Sequence, residues 1–124
     1  WDIWTLNYND DVVLPRVTLL FDIHAQGANP QADITRENYP FKEAEELAGG
    51  QYFNNTVSYM IAYAILKGYE EIALYGMRFY TDSEVREKQY SNVREWLFFA
   101  KGKGIKITAP YDSVMLKEYN LYGI

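Results

Sequence analysis

With 124 residues, 48% of them hydrophobic, the chain is long enough for one domain with a real core and too apolar to stay disordered. A net charge of -5 argues against the basic face that a nucleic-acid or acidic-membrane binder needs. The lack of cysteine excludes disulfides and thiolate zinc sites. No apolar run approaches the roughly 20 residues of a membrane span, and with no signal peptide visible the default compartment is the cytosol. Twelve tyrosines in a chain this short cannot all be buried. An aromatic surface patch and a homo-oligomer are therefore expected.

In chain order, residues 2–6 (DIWTL) read as a short strand, stopped by the turn-rich NYND. Residues 17–24 (VTLLFDIH) form a continuous apolar run, the pattern of a parallel strand buried on both faces. Residues 25–33 have the composition of a loop. Residues 39–50 predict a short helix with Pro40 in its first turn and Gly49 and Gly50 at its end. The strongest helix covers 55–68. Val57, Met60, Ile61, Ala64 and Ile65 make one apolar stripe, Asn54 or Asn55 is the N-cap, and Gly68 is the stop. A buried strand follows at 70–76. A helix spans roughly 84–101 with Val93, Trp96, Leu97 and Ala100 inward, then comes a strand within 102–110, then a helical turn or two at 112–119. Trp96, Leu97, Phe98 and Phe99 cannot all face the core, so one of the two phenylalanines is assigned to an interface.

Helices alternating with buried strands predict an α/β fold: a three-layer arrangement around a mostly parallel sheet, joined by right-handed crossovers. In such a sheet, ligands bind beyond the carboxyl ends of the strands. Those ends carry Asn7, then Asp22 and His24, then Gly76, Arg78 and Tyr80, then Pro110, Asp112 and Ser113. The helix opening at Asn55 and Thr56 would present free N–H groups to the same rim, where a phosphate is favoured. Each residue also has a structural reading. Asn54, Asn55 and Thr56 make a cap, Asn7 opens a turn, and His24 is a hydrogen-bonded strand end. Arg78 is a surface charge, and Tyr80 and Tyr90 are edge aromatics. Asp22 and His24 share a strand face at i and i+2, but no third metal ligand is evident. There is no GxGxxG, Walker A, HExxH or GxSxG motif, and GKGIKIT has the wrong spacing for a phosphate loop.

The run YFNNTVSYMIAYAILKGYEEIALYGMRFY (52–80) resembles the core of glycosyltransferase family 42 sialyltransferases. There a Thr-Ser pair opens a helix, a Gly-Tyr-x-Glu-Ile turn feeds a strand, and the strand ends in Gly-x-x-Phe-Tyr. The chain also resembles archaeal 6-hydroxymethylpterin diphosphokinase-like domains. It is most similar to small phage-type Rossmann-like proteins, whose flanking motifs have counterparts here in IWTLN (3–7), FDIH (21–24), YPFKEA (39–44) and GKGIKITAPYDS (102–113). The resemblance implies a Rossmann-like nucleotide or nucleotide-sugar site. Asn7 would contact the nucleotide, Asn55 and Thr56 the donor, Tyr80 the phosphate, and Tyr90 would be a second tyrosine.

The chain departs from the family in several places. The family's first strand and its glycine-rich loop have no counterpart, so residues 1–124 are expected to be one Rossmann-like domain cut from a longer one. The sialyltransferases' general-base histidine is missing from 81–124. The segment after His24 is short where relatives place a strand, and Met77 and Arg78 stand where many relatives carry an aspartate. The leading expectation is a nucleotide or nucleotide-sugar binding domain, a diverged or truncated glycosyltransferase relative, with no cofactor or reaction assigned. The alternative is a non-catalytic phage-type accessory protein acting through self-association.

Overall fold

The computed structural model describes residues 1–6, 18–75, 83–109 and 122–123. Among these residues the chain forms β1 (Trp4–Leu6), β2 (Leu19–Asp22), β3 (Ile34–Thr35), α1 (Phe41–Ala48), α2 (Thr56–Leu66), β4 (Glu71–Ala73), α3 (Glu84–Gly102) and β5 (Lys106–Thr108). The strand expected within 102–110 is β5, while Pro110 and the expected helix at 112–119 lie outside the described residues.

The helices start and stop for local reasons. Asn55 sits in extended conformation, and its side chain accepts the Ser58 N–H at the start of α2. Ser83 does the same for the Arg86 N–H at the start of α3. Both caps satisfy main-chain donors that a helix leaves open. Pro40, expected in the first turn of α1, stands one residue ahead of it at the N-cap and supplies no side-chain bond. At the end of α2, Gly68 turns left-handed at φ +80°. The Tyr69 N–H then reaches the Ala64 carbonyl and the Gly68 N–H reaches Ile65. This pair of bonds caps the helix and turns the chain straight into β4.

All pairing within the two small sheets is parallel. β1, β2 and β3 form one sheet in that order, with Trp4 opposite Leu19 and Phe21 opposite Ile34. β4 and β5 form the other, with Ile72 opposite Ile107. The fold is therefore mixed α/β with parallel strands, but the single sheet expected from the sequence is two sheets among the described residues. β2 is buried as expected, with Leu20, Phe21 and Asp22 inside, and Ile23 directly after it is buried too.

Two expectations are corrected. A strand does follow His24: β3 pairs with β2 and is held by the Asp33 carboxylate, which accepts the Leu20 N–H at 2.8 Å. Its two residues are too few to register as an apolar or alternating run. β4, expected to be buried, is half-exposed at every residue, because its edge away from β5 borders an open cleft.

The core lies between the strands and the helices. Phe21, Val93, Leu97, Ala44, Ala62 and Ala100 are fully enclosed. A run of touching rings crosses it: Phe41 meets Tyr39 and Tyr59, Tyr59 stacks on Phe53 at 4.4 Å, Phe53 stacks on Trp96 at 4.6 Å, and Trp96 meets Phe99. Offset and edge contacts of this kind add to plain burial. Tyr39 donates its hydroxyl to the Tyr59 carbonyl at 2.7 Å. Burial, reinforced by Tyr59 and Tyr63, raises its pKa far above the ordinary tyrosine value. Of the phenylalanine pair, Phe99 packs on Trp96 while Phe98 is 47% exposed under Arg94 and Lys101.

Candidate functional site

The two sheets meet across a cleft. Trp4, which opens β1, lies 5.1 Å ring to ring from Tyr69, two residues ahead of β4. The Tyr69 hydroxyl also bonds the Asp2 carboxylate, and this bond, with burial, raises the tyrosine's pKa. The amino ends of β1 and β4 are thus side by side. At the other end, Leu6 from β1 and Leu74 and Tyr75 beyond β4 line one cavity of about 160 Å³. The two strands therefore run in the same direction on either side of it.

Val57, Met60, Ile61 and Ala64 of α2 line the same cavity. Tyr63, near the end of α2, touches Trp4 at the start of β1. The helix therefore runs against the strands, and its N-terminus lies at their carboxyl end. Trp4, Tyr69 and the exposed Trp1 make one aromatic end of the cleft.

The main chain contributes polar groups to a wall whose side chains are mostly apolar, Tyr69 and Glu71 excepted. In a parallel ladder, alternate residues bond to one neighbour. Ile3 accepts from Leu19, so the register turns Ile3 and Thr5 toward β2 and leaves the N–H and C=O groups of Trp4 and Leu6 facing away from it. Glu70 accepts from Lys106, and Leu74 donates to Thr108. That leaves the groups of Glu71 and Ala73 facing away from β5. Trp4, Leu6, Glu71 and Ala73 all line the cavity. No ladder joins β1 to β4 among the described residues. The indole N–H of Trp4 is buried without an acceptor among the described residues.

Of the residues expected at a site, Asn7, Gly76, Arg78, Tyr80 and Ser113 lie outside the described residues. Asn7 follows Leu6 directly in the chain and Gly76 follows Tyr75, and both predecessors line the cleft. Asn55 caps α2, and its amide nitrogen donates to Asn54, Ser58, the Gln89 carbonyl and Asn92. Its polar atoms serve the helix junction, in line with the structural reading. Thr56, half-buried, is the first residue of α2. Tyr90 lies across that junction on α3, half-buried, and its hydroxyl accepts from Arg94 at 3.3 Å.

Asp22 and His24 come together as the strand spacing required. The His24 ring lies 2.6 Å from Asp22. The carboxylate is 1% exposed as a residue and also accepts the main-chain N–H groups of His24 and Asn29, at 3.1 and 2.9 Å. Burial alone would raise its pKa. The bonds from Asn29 and His24 outweigh that and hold it below the ordinary carboxylate value. No group of three metal-ligating side chains gathers among the described residues. The pair folds the loop after β2 back onto the strand.

Sequence reasoning missed Asn92. Its Oδ1 accepts from Ser58 Oγ at 2.6 Å, the Asn54 N–H at 3.1 Å and Asn55 at 3.3 Å, while its amide donates to the Tyr52 carbonyl at 2.8 Å. The available signal was an asparagine in line with Trp96 and Ala100 on an inward helix stripe. It also missed Trp4 and Tyr69 as cleft walls, since neither pattern nor spacing shows which strand edges face each other. No protein-family model, curated protein or solved structure matches the chain.

Proposed function

We propose that the chain is a three-layer Rossmann-like domain that binds a nucleotide or nucleotide sugar in the cleft between β1 and β4, as a diverged or truncated relative of the glycosyltransferases it resembles. Taken together, the strands read in the order β3-β2-β1-β4-β5. That is the order of doubly wound folds, whose ligands bind where the order reverses, between β1 and β4. The observation that carries this reading is the cleft itself: it opens between those two strands, with the N-terminus of α2 at its carboxyl end. A helix N-terminus of this kind favours a phosphate. Arg78 and Tyr80, close behind the cleft-lining Tyr75, would serve that phosphate, and Asn7, next to Leu6, would serve the base or ribose.

Thermal-shift screening with CMP, CTP, UDP and ADP tests the reading. A ligand present at 100 times its Kd stabilises by about 2.7 kcal/mol. A shift that Arg78→Ala or Tyr80→Phe removes supports the proposal. No shift with any nucleotide refutes it. The exposed Phe98 favours a second reading, self-association of an accessory protein through α3. A solution mass at the monomer value, unchanged by Phe98→Glu, would sink that alternative.

A further inference from the structure

Resting on the nucleotide reading, the geometry points to the cleft between β1 and β4 as the base subsite: it takes a planar nitrogen heterocycle whose edge is read by main-chain groups, while sugar and phosphate lie outside.

Size is the first reason. The cavity of about 160 Å³ is close to the roughly 150 Å³ apolar cavity that accommodates a benzene ring. It holds one ring system and has no room for a whole nucleotide.

The second reason is the wall chemistry. Trp4 and Tyr69 give the aromatic end, and Val57, Ile61 and Ala64 of α2 line the cavity with apolar groups. Aromatic surface stacks on any base. A hydrocarbon ring would suit those walls equally, but it would leave the main-chain groups of Trp4, Leu6, Glu71 and Ala73 without partners. Such groups, once shut off from water, need hydrogen bonds. A base carries donors and acceptors along its edge and can meet them.

The third reason is direction. β1 rises about 3.3 Å per residue, so Leu6 lies roughly 7 Å along the strand from Trp4. A base at the Trp4 end would direct its sugar and phosphate toward the carboxyl rim, where α2 begins.

The test uses the indole ¹H–¹⁵N resonances of the intact chain. Three tryptophans give three signals, assigned with Trp1→Phe and Trp4→Phe. Cytosine, adenine, their nucleosides and their monophosphates are titrated in, alongside a thermal-shift measurement. The Trp4 signal is expected to move with a free base or nucleoside. Trp96, whose N–H already bonds the Tyr52 carbonyl at 2.7 Å, is expected to stay. Ala64→Leu, which fills the cavity from the helix side, should weaken binding by at least about tenfold, a loss of the size one lost favourable contact brings. If a nucleotide raises the melting temperature but the Trp4 signal stays still, the base lies elsewhere: this inference falls and the nucleotide reading stands. If free bases move Trp4 and phosphates add no affinity, the subsite stands and the nucleotide reading falls. If nothing binds, both fall.

Discussion

Replacing Asn92 with alanine removes four hydrogen bonds from the junction of α2 and α3. They are not equal losses. The Tyr52 carbonyl keeps its bond from the Trp96 indole at 2.7 Å, and Asn54 is exposed enough for water to replace its partner. The Ser58 hydroxyl is fully buried and loses its acceptor. A stranded buried donor costs about 1–3 kcal/mol, and the other bonds about 0.5–1 kcal/mol each, so the expected loss is about 3 kcal/mol. At about 2.1 cal/mol/K of unfolding entropy per residue, 124 residues give about 0.26 kcal/mol/K, and the melting temperature should fall by about 11 °C. Urea unfolding followed by circular dichroism measures the loss directly. Ser58→Ala in the same chain provides the control, because it removes the donor that Asn92→Ala strands. The double variant should therefore lose less than the sum of the two single losses, by about 1 kcal/mol or more. A loss below about 1 kcal/mol for Asn92→Ala, or strict additivity, would show that the polar junction is not what holds the helices in register.

Other outcomes follow from single contacts. Asp22 has a lowered pKa when folded, so its contribution is present above the unfolded value near 3.9 and lost as pH falls through the folded one. Asp22→Asn should cost stability at neutral pH and flatten the acid limb of a stability-versus-pH curve; an unchanged limb would count against the assignment. Tyr39 has a raised pKa when folded, so the stability it gives is present below about 10 and declines as pH rises beyond that value. Tyr39→Phe should reduce that alkaline loss while costing about 1 kcal/mol at neutral pH through the bond to Tyr59, both read from urea midpoints across pH. Gly68→Ala forces a side chain into the left-handed turn between α2 and β4, and should cost about 1 kcal/mol although a Cβ there meets no neighbour within 4 Å. A neutral result would mean the turn relaxes freely.

The helices were legible because their signals are local. Asn55 and Ser83 cap, Gly49 and Gly68 stop, and the stripe through Val57, Ile61 and Ala64 needs only residues within three turns. β2 was legible for a similar reason, since LLFDI is apolar on both faces apart from Asp22. β3 was not, because two residues held by Phe21 and by the Asp33 carboxylate leave no periodic trace. The cleft between two sheets was not legible. Strand ends can be read from a sequence, and Asn7 and Gly76 do follow residues that line it. Which edges lie open is fixed by pairings far apart in the chain, and so is the approach of Trp4 to Tyr69. The half-exposure of β4 belongs to the same class, since packing of EIALYG cannot reveal that its neighbour on one side is a gap.

That gap also bears on how the protein would aggregate. Open strand edges ordinarily recruit foreign strands sideways from solution. Here the edges of β1 and β4 that no described strand pairs with look at each other across a cavity of about 160 Å³, with α2 along it. A foreign strand cannot be laid against either edge from outside; it would have to be threaded in lengthwise. The edges become sticky only when the two sheets part, which breaks the contacts of Trp4 with Tyr63 and Tyr69. Opening of the cleft should therefore add an aggregation route to those offered by the outer edges of β3 and β5, and anything wedged in the cleft would close that added route.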